Sequence, residues 1–185
     1  MSKISKLIGE VIEGKPKFDH ATNDGEKFYT IRVQFLDAEI DVMFSEYLLE
    51  DKFSDKIEVT GYLASTPRKN ASPRFYFYGN QIKSVDIDTP ITNELNFSYR
   101  VTKAGEFKQN QRCTDILPLV ASDYTALHTT SVLYLCARGK VARKLKGKEK
   151  GYYVNGRGYL KQYRDIYEVL IVELEDENTA DESTE

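Results

Sequence analysis

The chain has 185 residues, of which 41% are hydrophobic, and it contains 13 Tyr and 9 Phe but no Trp. This length is enough for one ordinary domain or two small ones, and the aromatic content excludes a disordered chain, which has no core to fill. The formal net charge is −3, but it is unevenly distributed. Residues 173–185 contain seven acidic residues and no basic one, so residues 1–172 carry a net positive charge. The overall charge therefore does not argue against a nucleic-acid partner.

The first half of the chain contains five short strand signals, with a helix signal between the third and the fourth. Residues 28–36 alternate most clearly and place Tyr29, Ile31, Val33 and Phe35 on one face, as a half-buried strand requires. Ser45 is positioned to cap a short helix. This order of elements is that of an OB fold. The five strand signals are 7–12, 28–36, 40–44, 57–63 and 74–78.

A polar segment around Pro90 reads as a linker, and after it the same order of elements begins again. The fragments IEVTGYL (57–63) and YYVNGRG (152–158) match in pattern, which indicates two copies of one domain. We therefore predict an all-β protein of two tandem OB-type five-stranded barrels with a short helix in each. The predicted limits are 1–87 for the first barrel, 88–92 for the linker, 93–174 for the second barrel and 175–185 for a disordered acidic tail.

With this repeat, the sequence resembles the two-OB-fold single-stranded-DNA-binding proteins of Firmicute bacteria and their phages. In the first half the resemblance rests on GEV (9–11), GEKFY (25–29) and VTG (59–61), and in the second on RCTDILPLV (112–120) and VNGR (154–157). It implies binding of single-stranded DNA in replication, recombination or repair, for a phage or mobile element, and no enzymatic activity. The tail departs from better-known single-strand-binding proteins, because it ends in Ser-Thr-Glu rather than in an aromatic residue.

The second half carries the stronger candidate binding site. Residues 138–164 contain ten Lys or Arg and one acid, Glu149, interleaved with tyrosines. Proteins hold single strands without base readout by this combination of phosphate contacts and ring stacking. If Val154 faces the core, its two neighbours face outward; the alternative is a solvated strand whose rings serve barrel packing. The predicted binding residues are Lys144, Lys146, Lys148, Tyr153, Arg157, Tyr159, Lys161, Tyr163 and Arg164.

The first half supplies a second set of candidates. Phe28 and Arg32 lie on the outward face of the second strand, and Tyr62 lies on the fourth. In the run FYFY (75–78) one alternating pair must point inward; Tyr76 and Tyr78 are the predicted outward pair, because tyrosine can present its hydroxyl to water. The alternative is that all four rings serve the core or an interface.

Enzymatic chemistry has little support in the sequence. His20 and His128 are far apart without metal-ligand spacing, and neither a P-loop nor an H-E-x-x-H motif is present. Cys113 and Cys136 are too few for the disulfide framework of a small secreted domain, so we expect free thiols. Residues 1–14 lack the apolar stretch of a signal peptide. We expect a cytoplasmic protein with no metal, cofactor or membrane association.

Two other functions stay open at this point. One is an OB-type structural or adaptor protein that binds protein partners. The other is RNA binding, because stacking and phosphate contacts do not involve the sugar and so do not distinguish RNA from DNA. The acidic tail is interpreted as a solubilising segment, as a mimic of nucleic acid that covers the basic groove, or as a site that recruits replication or recombination proteins. The sequence leaves the oligomeric state open, a homo-oligomer included.

Overall fold

The structure is a computed structural model that describes residues 3–112, 114–124 and 130–175. The predicted disordered tail beyond Glu175 therefore lies outside the described residues, as do Cys113 and His128. Strands dominate what is described, and they form two sheets. In this part of the chain no helix is long and apolar enough to cross a membrane.

The first half forms a closed five-stranded barrel. Its strands follow the order β1-β2-β3-β5-β4, in which β3 and β5 are parallel and all other neighbours antiparallel. The alternation predicted for β2 is observed in its second half, where Ile31, Val33 and Phe35 are buried in the core, whereas Phe28 and Thr30 on the opposite face are buried as well. The strands are β1 (Ser5–Ala21), β2 (Lys27–Phe35), β3 (Ala38–Ser45), β4 (Lys56–Arg68) and β5 (Ala71–Ser84).

The second half repeats this strand order. Its six-stranded sheet runs β6-β10-β11-β9-β8-β7, and an additional pairing of β6 with β8 gives the five long strands the same cyclic order as in the first barrel. As in the first barrel, the third and fifth long strands, β9 and β11, are parallel. This arrangement is consistent with two OB folds. The strands are β6 (Glu94–Ala104), the short β7 (Lys108–Gln109), β8 (Asp115–Tyr124), β9 (Thr130–Arg138), β10 (Tyr153–Tyr163) and β11 (Ile166–Leu174).

The element before the fourth strand differs between the barrels. The second barrel has a short helix, α1 (Gly139–Leu145), as predicted. The first has only a single 3-10 turn (Glu46–Leu48), so the helix predicted there is wrong. Ser45 makes no side-chain cap and instead donates its hydroxyl hydrogen bond to Glu26 Oε1 over 2.6 Å. The Ser45 side chain therefore does not supply the cap that a longer helix would gain from it.

Two glycines allow the fourth and fifth strands of each barrel to approach closely. A Cβ added at Gly61 would lie 1.8 Å from the carbonyl oxygen of Tyr78, and one added at Gly156 would lie 2.0 Å from that of Glu173. No side chain fits at such distances. The V-x-G pattern of the two matching fragments therefore has a steric origin that is the same in both barrels.

The segment between the barrels is tied to both of them. The Thr92 amide donates to the Ile8 carbonyl over 2.9 Å, and the Ile8 amide donates to Thr92 Oγ1 over 3.0 Å. On the other side, Asn93 Nδ2 donates to the Leu160 carbonyl over 3.0 Å. The segment is thus an ordered connection, and the domain limits set from the sequence stay a prediction.

The two barrels also pack directly against each other. The Ser65 amide donates to Ser131 Oγ over 3.0 Å, and Ser65 Oγ donates to the Val132 carbonyl over 2.7 Å. The ring of Phe75 lies 5.6 Å from that of Tyr134 and 5.6 Å from that of Tyr167. Core residues of both barrels belong to one continuous cluster, which fixes the orientation of one barrel relative to the other.

Candidate nucleic-acid interface

An aromatic cluster lies on the first barrel, apart from the main core. It consists of Phe28, Met43, Tyr62, Ala64, Tyr76 and Tyr78. Phe75 and Phe77 belong to the main core instead, so the alternation separates the two pairs of the FYFY run as predicted, but Tyr76 and Tyr78 are buried in this second cluster rather than facing water. The cluster therefore contains all four aromatic residues that the sequence proposes for binding in this half.

These four rings are nevertheless not open stacking platforms, which corrects the sequence-based picture. Phe28, Tyr62, Tyr76 and Tyr78 are only 1% to 8% exposed. They cover one another, with ring centroids 6.2 Å apart for Phe28 and Tyr78 and 5.2 Å apart for Tyr62 and Tyr78. Burial also raises the pKa of Tyr78 to about 12.

A cleft of about 550 Å³ opens above this cluster. Its apolar floor is formed by Phe28, Met43 and Tyr76. The end of the β1–β2 hairpin contributes one wall and the β4–β5 hairpin the other, and these two loops are the ones with which OB folds bind oligonucleotides. The remaining lining residues are polar or charged: Asp19, His20, Thr22, Thr66, Arg68 and Arg74.

The two arginines of the cleft differ in their surroundings. Arg74 Nη1 lies 2.6 Å from Asp19 Oδ1, and Arg74 Nη2 lies 3.3 Å from Asp41 Oδ2. Burial opposes the ionisation of Asp19, but hydrogen bonds from His20 and Arg74 outweigh it and lower the pKa of the carboxyl group. Arg68 is exposed at the rim and forms no ion pair with a carboxylate of the described residues, so it is available to a phosphate.

Arg32 lies outside this cleft. Its guanidinium contacts Glu39 Oε1 at 2.8 Å and Asp41 Oδ1 at 2.9 Å. Burial disfavours the charged form, but the hydrogen bonds that the guanidinium donates to Glu39 and Asp41 outweigh this effect and raise the pKa of Arg32 above its ordinary value. The residue is thus a permanent cation whose charge is already matched, which weakens the role that the sequence proposes for it.

In the second barrel, β10 presents its alternate residues outward. Tyr153, Tyr159 and Tyr163 are 56%, 36% and 56% exposed, so each ring has accessible surface. Val154 and Leu160 point into the core. At about 3.3 Å per residue, the first and last of these tyrosines lie roughly 30 Å apart. The strand therefore offers separated rings along a line rather than a pocket.

The basic residues of β10 are paired with acids that lie elsewhere in the sequence. Arg157 Nη1 lies 3.0 Å from Glu94 Oε1, and Arg157 Nε donates to Glu173 Oε2 over 2.9 Å. Lys161 Nζ lies 2.6 Å from Asp37 Oδ2. The basic character of this stretch is therefore much reduced in three dimensions, which the sequence window could not reveal.

The remaining predicted residues of the second half lie around α1 and at the end of β10. Lys146 Nζ lies 4.3 Å from the centroid of the Phe107 ring, and Lys148 Nζ lies 5.3 Å from that of Tyr152. Lys144 is exposed on α1, and Arg164 occupies the turn between β10 and β11 with a φ of 56°. None of these residues, nor any described residue of the second barrel, lines the cleft of the first.

Sequence reasoning missed Asp19, His20, Arg68 and Arg74 as parts of the cleft. His20 read as a solvated loop residue, but it lies in β1 opposite Phe28 with its ring stacked on that of Phe28. The predicted first strand, 7–12, ends before the β1–β2 hairpin, whereas β1 continues to Ala21. Extending the strand pairing to the end of the hairpin would have placed His20 opposite Phe28. Cys136 is buried, and burial raises the pKa of its thiol. The described residues contain no group of three or more His, Cys, Asp or Glu arranged to hold a metal ion.

No protein-family model and no curated protein sequence matches this chain. Among solved structures, it is similar to the wild-type single-stranded DNA binding protein from Thermus aquaticus, with a TM-score of 0.74 and 15% identity over 100% of this chain and 97% of that one. A deletion mutant of the same protein gives a TM-score of 0.75 and 15% identity over 100% and 98% of the two chains. The likeness extends over both barrels and shows that the fold is shared.

Proposed function

We propose that this protein binds single-stranded DNA with little sequence preference and acts in DNA replication, recombination or repair. The observation that carries the proposal is the cleft of the first barrel, where an aromatic floor, an exposed arginine and two hairpins meet at the usual ligand site of an OB fold. The fold shared with single-stranded DNA binding proteins supports it. Action in the cytoplasm, on behalf of a phage or mobile element, belongs to the same proposal.

In this proposal the cleft binds one part of the strand by two kinds of contact. Bases stack on whatever aromatic ring of the cleft has an accessible face, which is sequence-tolerant because every base has a π-face. Phosphates contact Arg68 directly and compete with Asp19 and Asp41 for Arg74. Neutralising phosphates releases counterions, so affinity falls steeply with salt concentration.

The second barrel would extend the contact along β10. Tyr153, Tyr159 and Tyr163 supply stacking surface there, whereas Arg157 and Lys161 supply little net charge because of their acidic partners. The lysines around α1 and Arg164 would add further phosphate contacts in this half. We further propose that the acidic tail recruits replication or recombination proteins when the strand occupies the groove.

The test is a fluorescence-anisotropy titration of the full chain with a labelled single-stranded DNA, the matching duplex and an RNA of the same sequence. We expect the single-stranded DNA to bind most tightly. A preference for RNA would replace DNA with RNA in the proposal, and salt-insensitive or absent binding would favour a protein-binding adaptor.

A charge-matched pair of variants locates the site. Arg68→Ala should weaken binding and lower the slope of log affinity against log salt concentration by about 0.7, the value for one phosphate on a single strand. Lys83→Ala removes one positive charge at the other end of β5 and should leave both quantities nearly unchanged. Equal effects of the two variants would contradict binding in the cleft.

A further inference from the structure

His20 lines the cleft and differs from the rings of the aromatic cluster in being exposed. His20 lies opposite Phe28 in the β1–β2 pair, and the two rings are nearly parallel, with centroids 4.9 Å apart and an angle of 10° between their planes. The side chain of His20 is 45% exposed, whereas the rings beneath it are buried. One face of the imidazole therefore covers Phe28, and the opposite face remains open to the cleft.

His20 is the outer end of a ladder of rings. The ladder begins at Tyr62, whose ring centroid lies 5.2 Å from that of Tyr78. The Tyr78 centroid lies 6.2 Å from that of Phe28, and His20 stacks on Phe28. The three inner rings are already covered by their neighbours. A flat ligand that enters the cleft can thus add to the ladder only at its outer end, on the open face of His20.

The imidazole is also held in place. Its Nδ1 lies 2.7 Å from Asp19 Oδ2, and the other oxygen of Asp19 lies 2.6 Å from Arg74 Nη1. Since a carboxylate only accepts hydrogen bonds, Nδ1 carries the hydrogen. Arg74 in turn reaches Asp41 on β3. This chain of contacts links the ring to β5 and β3 in its position over Phe28.

We infer that His20 is the base-stacking residue of the cleft, and that the ligand group it binds is an unpaired nucleobase. The base stacks on the open face of the imidazole, while Arg68 on the facing hairpin contacts a neighbouring phosphate. The inference rests on the proposed function and adds to it the residue and the chemical group that meet. A stacked aromatic ring typically contributes about 5- to 150-fold to single-strand affinity.

The experiment compares three substitutions at this position in the full chain, with a labelled single-stranded DNA. His20→Ala and His20→Leu should both weaken binding by roughly 5-fold or more, the second because it keeps bulk without a ring. His20→Tyr restores an aromatic face and should bind within a few-fold of the wild type. Replacing the normal oligonucleotide with one that contains abasic sites should weaken the binding of His20→Ala less than it weakens the binding of the wild type. A purely structural role of His20 would not produce this difference.

A second measurement does not depend on affinity. The chain has 2 His, so the Cε1–H resonance of His20 is assigned by its disappearance in His20→Tyr. Stacking of a base should shift this resonance upfield on addition of the strand. If the wild type binds but His20→Ala and His20→Leu bind equally well or more tightly, or the resonance does not move, the inference about His20 is overturned while the proposed function stands. If the wild type does not bind single strands, both fall.

Discussion

Replacing Gly61 with Ala tests the steric origin of the repeated V-x-G pattern. The added Cβ would lie 1.8 Å from the Tyr78 carbonyl oxygen, whereas ordinary contacts begin at 3.4 Å. The obstacle is backbone and cannot rotate away, so β4 and β5 must separate by roughly 1.6 Å at this point. Such a movement breaks one or two ladder hydrogen bonds, each contributing about 1 kcal/mol, in addition to the overpacking itself. We expect the free energy of unfolding to fall by about 3 kcal/mol.

Urea denaturation followed by circular dichroism measures this change. Gly14→Ala is a suitable control in β1, because its nearest obstacle, the Phe53 carbonyl oxygen, lies at 3.0 Å and a small shift relieves it; we expect a change below about 1 kcal/mol. Because Tyr78 belongs to the aromatic cluster under the cleft, Gly61→Ala should also weaken binding. An unchanged unfolding midpoint for Gly61→Ala would refute the close approach of the two strands.

Three further predictions follow from charge and exposure. Deleting residues 175–185 should raise affinity for single-stranded DNA, most strongly at low salt where screening is weakest; equal affinities at two salt concentrations would contradict competition by the tail. Alanine at Tyr153, Tyr159 or Tyr163 should weaken binding by about 1–3 kcal/mol for each ring that stacks, and three unchanged affinities would remove β10 from the interface. The lowered pKa of Asp19 stabilises the fold above its ordinary value of 3.8, and this contribution is lost as the pH falls through the folded-state pKa. Acid denaturation should therefore be shallower in Asp19→Asn, and an identical pH profile would show that its ion pairs do not stabilise the fold.

Much of the fold could be predicted because it depends on local pattern. The alternation of residues 28–36 fixes which face of β2 is buried, and the fragments at 57–63 and 152–158 reveal the repeat through a glycine that both barrels need. After Ser45 the structure has a single 3-10 turn instead of the expected helix, and the Ser45 hydroxyl donates to Glu26, which lies 19 residues earlier in the chain. Local signals indicate what a segment favours, but not which distant group competes for it.

The site was harder to predict because it depends on pairs far apart in sequence. Arg157 reads as part of a basic window, yet its partners Glu94 and Glu173 lie on the two neighbouring strands. His20 reads as an isolated loop residue until the hairpin brings it onto Phe28. Strand pairing thus determines both the charge of β10 and the composition of the cleft, and neither can be read from a window of neighbouring residues.

The shared core between the barrels has a thermodynamic consequence. Phe75 packs on Tyr134 and Tyr167 across the boundary, and Ser65 bonds to Ser131 and Val132 within it. Splitting the chain between the halves would expose these rings and leave buried polar groups without partners. Although the two halves can be distinguished in the sequence, they should therefore unfold together in one calorimetric transition. A substitution that destabilises either barrel then lowers the stability of both.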